Sequence, residues 1–237
     1  MNRSYLYSSF NEKITLSYNK SIINLLIMKN INLHILQANP LLKPYNSRLK
    51  KEFDLVLKQI SKYLETKDVD ILVLEDGTRV DNIVKTRIIN DNVLAITFDT
   101  KHKNFKKYFR QYVRRPVSYD LYLLSIYQKF GQTKTLLEEM LLHGVALNFE
   151  KTITKFALAE NFELNKNEVD DLINKNKKNF NLKNYTLDKW FYNPKSKPAY
   201  IGRVIGYFLV KNYLQKNKNK KLEDLLKLSP KQIAKLF

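Results

Sequence analysis

Cysteine is absent from this 237-residue chain, and histidine is nearly so, with three copies at His34, His102 and His143. The first absence excludes disulfides, a thiolate nucleophile and every cysteine-based zinc or iron–sulfur site. The second leaves few soft metal ligands, and no two histidines stand close enough to share one turn of a helix. Long apolar runs are also missing. The longest near the start, 22–28, is too short to cross a membrane and lacks a small-residue cleavage site, so neither a span nor a secretory signal is expected. The sequence-level expectation is a cytoplasmic protein with no membrane partner.

Acidic residues are scarce relative to basic ones, 23 against 42, for a net charge of +19. The basic set is 34 Lys and 8 Arg. Together with abundant Asn and Ile, this composition is also what AT-rich coding produces. The distribution says more than the sum. Residues 1–100 carry 14 basic and 11 acidic groups, a net of +3, whereas 101–237 carry 28 and 12, a net of +16. Such asymmetry points to a polyanion, nucleic acid included, as partner of the second half.

Residues 1–27 read unlike the remainder. They are expected to be an N-terminal extension contributing little to the core, either an over-extended reading frame with Met28 as the start or, less well supported, an organellar presequence. From there the pattern predicts a strand at Ile31–Gln37 and an amphipathic helix near Ser47–Thr66, with Leu49, Phe53, Val56, Leu57 and Ile60 on one face. A second strand at Val69–Leu74 and a hairpin pairing Ile83–Ile89 with Val93–Phe98 complete a β-α-β-β-β opening. Thereafter the signal is helical. Asn104–Phe130 reads as one helix kinked or split at Pro116, Thr133–Glu160 as a strongly apolar helix, and Asn165–Lys183 as a short helix with loops. Ala199–Leu214 reads as another apolar helix, and Ser229-Pro230-Lys231-Gln232 has the chemistry of a helix start. The expected fold class is α+β, one domain over 28–237 with a sheet part to residue 100 and a helical part from 101.

Three segments in order resemble one family, the zinc-dependent proteases with an H-E-x-x-H motif and a zincin-like domain of otherwise unknown function. They are Val93–Asp99 with Lys101-His102-Lys103-Asn104-Phe105, then Thr135–Phe149, and finally Pro198–Val210. The second is similar to the family's T-L-L-x-x-L-x-x-E-G-L-A-x-x-F helix, and the third to its C-terminal Gly-Tyr helix. With the β-α-β-β-β opening, the likeness covers roughly 29–237. It implies a sheet lying over an active-site helix and forming one wall of a cleft.

The family's chemistry needs two His at i and i+4 on one zinc and a Glu to activate bound water. The corresponding stretch here is Val117-Ser118-Tyr119-Asp120-Leu121-Tyr122-Leu123. One register puts Ser118 and Tyr122 at the histidine positions and Tyr119 at the glutamate. Shifted by one, Tyr119, Asp120 and Leu123 take those places. The family's third ligand, the Glu of E-G-L-A, falls on His143. The resemblance thus implies a metalloprotease scaffold with its metal motif lost: no catalytic residues, no metal and no cofactor, and a former substrate cleft free for a protein partner.

Further candidates remain open at this level. Glu139 and His143, at i and i+4, form either two ligands or, the favoured reading, a helical Glu–His contact, with Asp120 a conceivable third group. His34 and His102 read as structural. Tyr119, Tyr122, Tyr127 and Phe130 line a cleft or, the favoured reading, fill an aromatic core. In 103–115, Lys103, Lys106, Lys107, Arg110 and Arg114 fall on one helical face and Phe105, Phe109, Tyr112 and Val113 on another. Basic groups beside aromatics suit phosphate contacts and base stacking, although a helix docked on a core gives the same pattern. Lys107, Arg110 and Arg114, which lie off the apolar stripe, are expected to be exchangeable together for Gln without harm to the fold. The leading sequence-level function is a silent zincin-like binding or assembly scaffold. The alternative is a nucleic-acid-binding or ribonucleoprotein-associated protein.

Overall fold

The computed structural model describes residues 31–36, 40–65, 67–75, 83–156, 164–196 and 198–237. The expectation for residues 1–27 lies outside these. Strand β1 (Ile31–Ile35) leads through a 3-10 segment (Pro40–Tyr45) into helix α1 (Asn46–Ile60). Then come β2 (Val69–Glu75), β3 (Val84–Asn90) and β4 (Val93–Phe98). The four strands form one sheet in the order β1-β2-β4-β3. The first three of that order run parallel, and β3 pairs antiparallel with β4 through the expected hairpin. This is the α+β arrangement that periodicity predicts. Alternate residues of β2, Val69, Ile71 and Val73, are buried, as are Leu49, Phe53, Val56, Leu57 and Ile60 along α1. Strand and helix therefore meet at their own periods.

The helical part begins later than its sequence suggests. Residues 101–108 form turns, and α2 runs unbroken from Phe109 to Phe130 with Pro116 inside. Of the kink or split expected at Pro116, the split does not occur. Proline forfeits a single hydrogen bond to Tyr112, while Val113, Val117, Leu121 and Leu124 on either side are fully buried. Packing along both halves outweighs one lost bond. Helices α3 (Leu136–Thr154), α4 (Lys166–Asn176), α5 (Ile201–Lys216), α6 (Leu222–Leu226) and α7 (Pro230–Ala234) follow, with a π-helical turn at Asp188–Tyr192. Thr135 caps α3, Asn165 and Glu168 form a capping box on α4, and Ser229 and Gln232 form one on α7.

One hydrophobic core runs from Ile31 of β1 through α1, α2 and α3 to Ile233 of α7. Helices α3 and α5 cross at Gly144 and Gly206, where a side chain on either would collide with backbone of the other helix. Those glycines hold α5 close enough to α3 for the charge of Arg203 to act on His143. No helix among the described residues is long and apolar enough to cross a membrane.

Candidate functional site

Edge strand β3 lies over α2 and leaves a cleft of about 1220 Å³ between them, closed at its base by α3 and the start of α5. The face of α2 that lines it carries Pro116, Tyr119, Asp120, Leu123 and Tyr127. Tyr119, Asp120 and Leu123 face the cleft, whereas Ser118 and Tyr122 do not line it. Ser118 is buried and donates to the Arg114 carbonyl at 2.8 Å. Tyr122 is fully buried in the core, and its hydroxyl has no partner among the described residues. Ser118 and Tyr122, expected as degenerate site positions, thus lie in the protein interior on the side of α2 away from this cleft. The reason is the 3.6-residue period: 118 and 122 share one face, and the apolar neighbours of Tyr122 draw that face inward. Of the four aromatics, Tyr119 and Tyr127 line the cleft, Tyr122 fills the core and Phe130 is exposed.

A hydrogen-bonded chain runs along the cleft floor. The Tyr119 hydroxyl donates to Nδ1 of His143, whose Nε2 lies 3.1 Å from Glu139 Oε1. Tyr127 donates to the same Glu139 oxygen at 2.9 Å. Thr133 donates to the other oxygen, which Tyr185 also approaches at 3.4 Å. Burial holds His143 below its usual pKa, only partly offset by Glu139. Burial alone would raise Glu139, but its bonds with His143, Thr133 and Tyr127 outweigh it and hold the carboxyl low. The consistent state is a neutral imidazole donating from Nε2 to a carboxylate and accepting from Tyr119 at Nδ1. The Glu–His contact is therefore the relationship the structure displays for these two residues. The ring of His143 also stacks on Phe191 at 4.4 Å. Burial pushes the Tyr119 phenol well up, so it is a donor and not a phenolate.

A second layer of charge stands beside this chain. Arg115 and Glu150 pair at 2.6 Å with both side chains largely buried. Asp120 is pushed up to about 7, chiefly by burial, against the opposing pull of a hydrogen bond from Thr86 and the charge of Arg203. Its Oδ2 has no partner. The Arg203 guanidinium lies over three rings, those of Tyr119, Tyr192 and Tyr200, at 5.3, 4.9 and 5.5 Å. Sequence reasoning missed Arg203, Arg115 and Glu150. A signal existed for the first: it is one of only 8 arginines in a Lys-rich chain, set in an otherwise apolar helix.

The donor set does not fit a zinc ion. Both nitrogens of His143 are engaged, no second histidine approaches, and the nearby cation is a guanidinium. Among the described residues no group of three or more His, Asp or Glu is placed to hold a metal. His34 bonds Asp70 at 2.9 Å on the sheet edge, and Nδ1 of His102 accepts from the Asn104 amide in the turn before α2.

The five basic residues do not share one helical face. Lys103, Lys106 and Lys107 sit exposed in the turns preceding α2. Arg110 and Arg114 are on the helix, and both bond the buried carboxylate of Glu52 on α1, at 3.1 and 2.7 Å. The Arg114 side chain is only 21% exposed against 72% for Arg110. The ground for expecting Lys107, Arg110 and Arg114 to be exchangeable, that they lie off the apolar stripe, does not hold for Arg114, which pairs with the buried Glu52. Phe105, Phe109 and Val113 are fully buried core residues.

Residues 121–235, just under half the chain, match a domain family described as a predicted Zn-dependent protease (DUF2268). The match spans α3 with its Glu139–His143 pair and α5 with Arg203, and it begins one residue after Asp120. No curated protein and no solved structure matches the chain. The helical half of this protein is therefore similar to a zinc protease-like family.

Proposed function

We propose that this chain is a zincin-like protein without metalloprotease activity, keeping the cleft between β3 and α2 as a binding site for a partner. The observation that carries this reading is the tertiary register of α2. The cleft is lined by Tyr119, Asp120 and Leu123, the residues that one register of the resemblance sets at the enzymes' two histidines and glutamate, and both nitrogens of His143 are taken by Tyr119 and Glu139. A zinc-activated water needs three strong ligands and an open position. One histidine bonded on both sides supplies neither. The test is elemental analysis of protein purified without chelator, combined with hydrolysis of a quenched peptide library with and without added zinc. The expected result is sub-stoichiometric zinc and no turnover. One zinc per chain with turnover, both lost on His143→Ala, would overturn the reading.

A second reading, binding of nucleic acid or another polyanion, rests on the exposed trio Lys103, Lys106 and Lys107 with the exposed end of Arg110. Titration of single-stranded RNA at several salt concentrations tests it, since each phosphate contact releases condensed counterions and steepens the salt dependence. Changing the three lysines together to Gln should flatten that slope. A slope left untouched removes this reading.

A further inference from the structure

Three arginines line the cleft: Arg87 lies exposed to solvent on β3, Arg115 and Arg203 stand deeper, and of these two only Arg203 lacks a carboxylate partner. Arg115 is paired with Glu150, and the Glu139 carboxylate takes its donors at the far end of the Tyr119–His143 chain. Arg203 forms no ion pair with a carboxylate among the described residues, and its Nε is buried without a hydrogen-bond partner. Three tyrosine rings attract the cation and the Tyr192 hydroxyl hydrogen-bonds with it, but none of them gives it a counter-charge. A buried guanidinium stays charged at any physiological pH, and leaving it unpaired is costly. The Asp120 carboxyl, which feels the charge of Arg203 without forming an ion pair with it, is 7% exposed and has one oxygen unpartnered. Around these polar groups the cleft is lined by Ile83, Val84, Ile88, Pro116, Leu123 and Leu187.

We propose that the cleft binds a monocarboxylate ligand, its carboxylate held by the Arg203 guanidinium between Tyr119, Tyr192 and Tyr200 and its apolar body lying between β3 and α2. Exposed Arg87 aside, the one guanidinium in the cleft without a carboxylate partner calls for one negative charge beside it. A planar guanidinium offers paired donors to a planar carboxylate. A phosphate dianion suits the site less, because Asp120 and Glu150 stand close by. The inference rests on the cleft being a binding site. Its own content is the charge selectivity, which zinc analysis does not touch.

The probes are benzoate, N-acetyl-phenylalanine, its uncharged amide, and a tetrapeptide ending in Phe with free or amidated C-terminus, titrated calorimetrically into the full chain at pH 6, with inorganic phosphate as comparison. The acids are expected to bind at least about tenfold more tightly than their amides, about 1.4 kcal/mol, and more tightly than phosphate. Tighter binding of the free-ended tetrapeptide than of N-acetyl-phenylalanine identifies a chain terminus as the ligand source, and the reverse identifies a small acid. Arg203→Gln should abolish the preference for acid over amide, and Arg203→Lys, which keeps the charge but loses the fork, should reduce it while preserving the fold. Asp120→Asn should tighten acid binding at pH 8, where an ionised Asp120 competes for the guanidinium. Acid and amide binding alike, no binding of any probe, or a preference that survives Arg203→Lys unchanged would overturn the proposal. Amide-tolerant binding in the cleft would overturn it while sparing the broader reading of a silent binding cleft.

Discussion

The hydroxyl of Tyr119 on α2 donates to Nδ1 of His143 on α3, joining the two helices that form the floor and base of the cleft through a side chain that is 1% exposed. The bond explains how a histidine survives in a buried position beside an ionised Glu139. It is neutral, donates from one nitrogen and accepts at the other.

Glu139 is the acceptor on which this arrangement depends. Glu139→Ala should leave His143, Thr133 and Tyr127 without an acceptor in a buried site. It is expected to cost about 3 kcal/mol in urea-induced unfolding, with Glu139→Gln costing less. The pH dependence follows from the directions. Both groups have folded pKa values below their ordinary ones, so the unfolded chain binds more protons. Their stability contribution is complete above about pH 6.5, the ordinary histidine value. It is lost as pH falls, first through His143 and then through Glu139. A unfolding free energy that stays flat from pH 7 down to the denaturation of His143→Gln would contradict this.

Asp120 acts in the opposite direction. It is pushed up to about 7 in the folded protein from an ordinary 3.8, and the groups facing it are Thr86 from β3, Arg203 from α5 and Glu150 from α3. The folded chain therefore holds the extra proton between about pH 4 and 7, and stability declines as pH rises through that window. Asp120→Asn should be close to neutral at pH 4 and stabilising at pH 8 by up to about 4 kcal/mol. Thermal unfolding at the two pH values measures the difference, and equal effects at both would contradict the assignment.

The crossing of α3 and α5 leaves no room for a Cβ at Gly206, which would land on the Met140 carbonyl. Gly206→Ala is expected to destabilise by about 3 kcal/mol or more through forced separation of the helices. By contrast, Gly131 has positive φ with open space around it. Its φ of 73° and ψ of −166° lie in a region essentially confined to glycine, so Gly131→Ala should cost about 1–3 kcal/mol through backbone strain alone, with no collision. Chemical denaturation of both variants checks the contrast.

Glu52 distinguishes its two arginine partners. Arg114 is largely buried with it, so Arg114→Gln should cost about 2 kcal/mol, while Arg110→Gln, removing a mostly exposed partner, should cost under about 1 kcal/mol. Urea midpoints at unchanged slope would measure both. The salt-dependence experiment accordingly uses Lys103, Lys106 and Lys107, whose replacement touches no buried partner.

Much of the fold was legible because it rests on local periodicity. The 3.6-residue spacing in α1, the alternation in β2, the short turn between β3 and β4 and the Ser229–Gln232 capping box each involve residues a few positions apart, and each formed where the pattern predicts. The sequence by itself also determined that two histidines never meet on one helical turn, which is a matter of composition. Other features were decided only by tertiary structure. Whether 118 and 122 or 119 and 123 face the cleft depends on which side of α2 meets β3 and α3, a choice one residue of rotation reverses. Whether Pro116 breaks α2 depends on apolar contacts supplied by other elements. Whether Arg114 is a free cation depends on Glu52, 62 residues away. And Arg203 enters the cleft only because Gly144 and Gly206 let two helices touch backbone to backbone. Such relationships have no period to read, since they arise from contacts between residues that the chain keeps far apart until it folds.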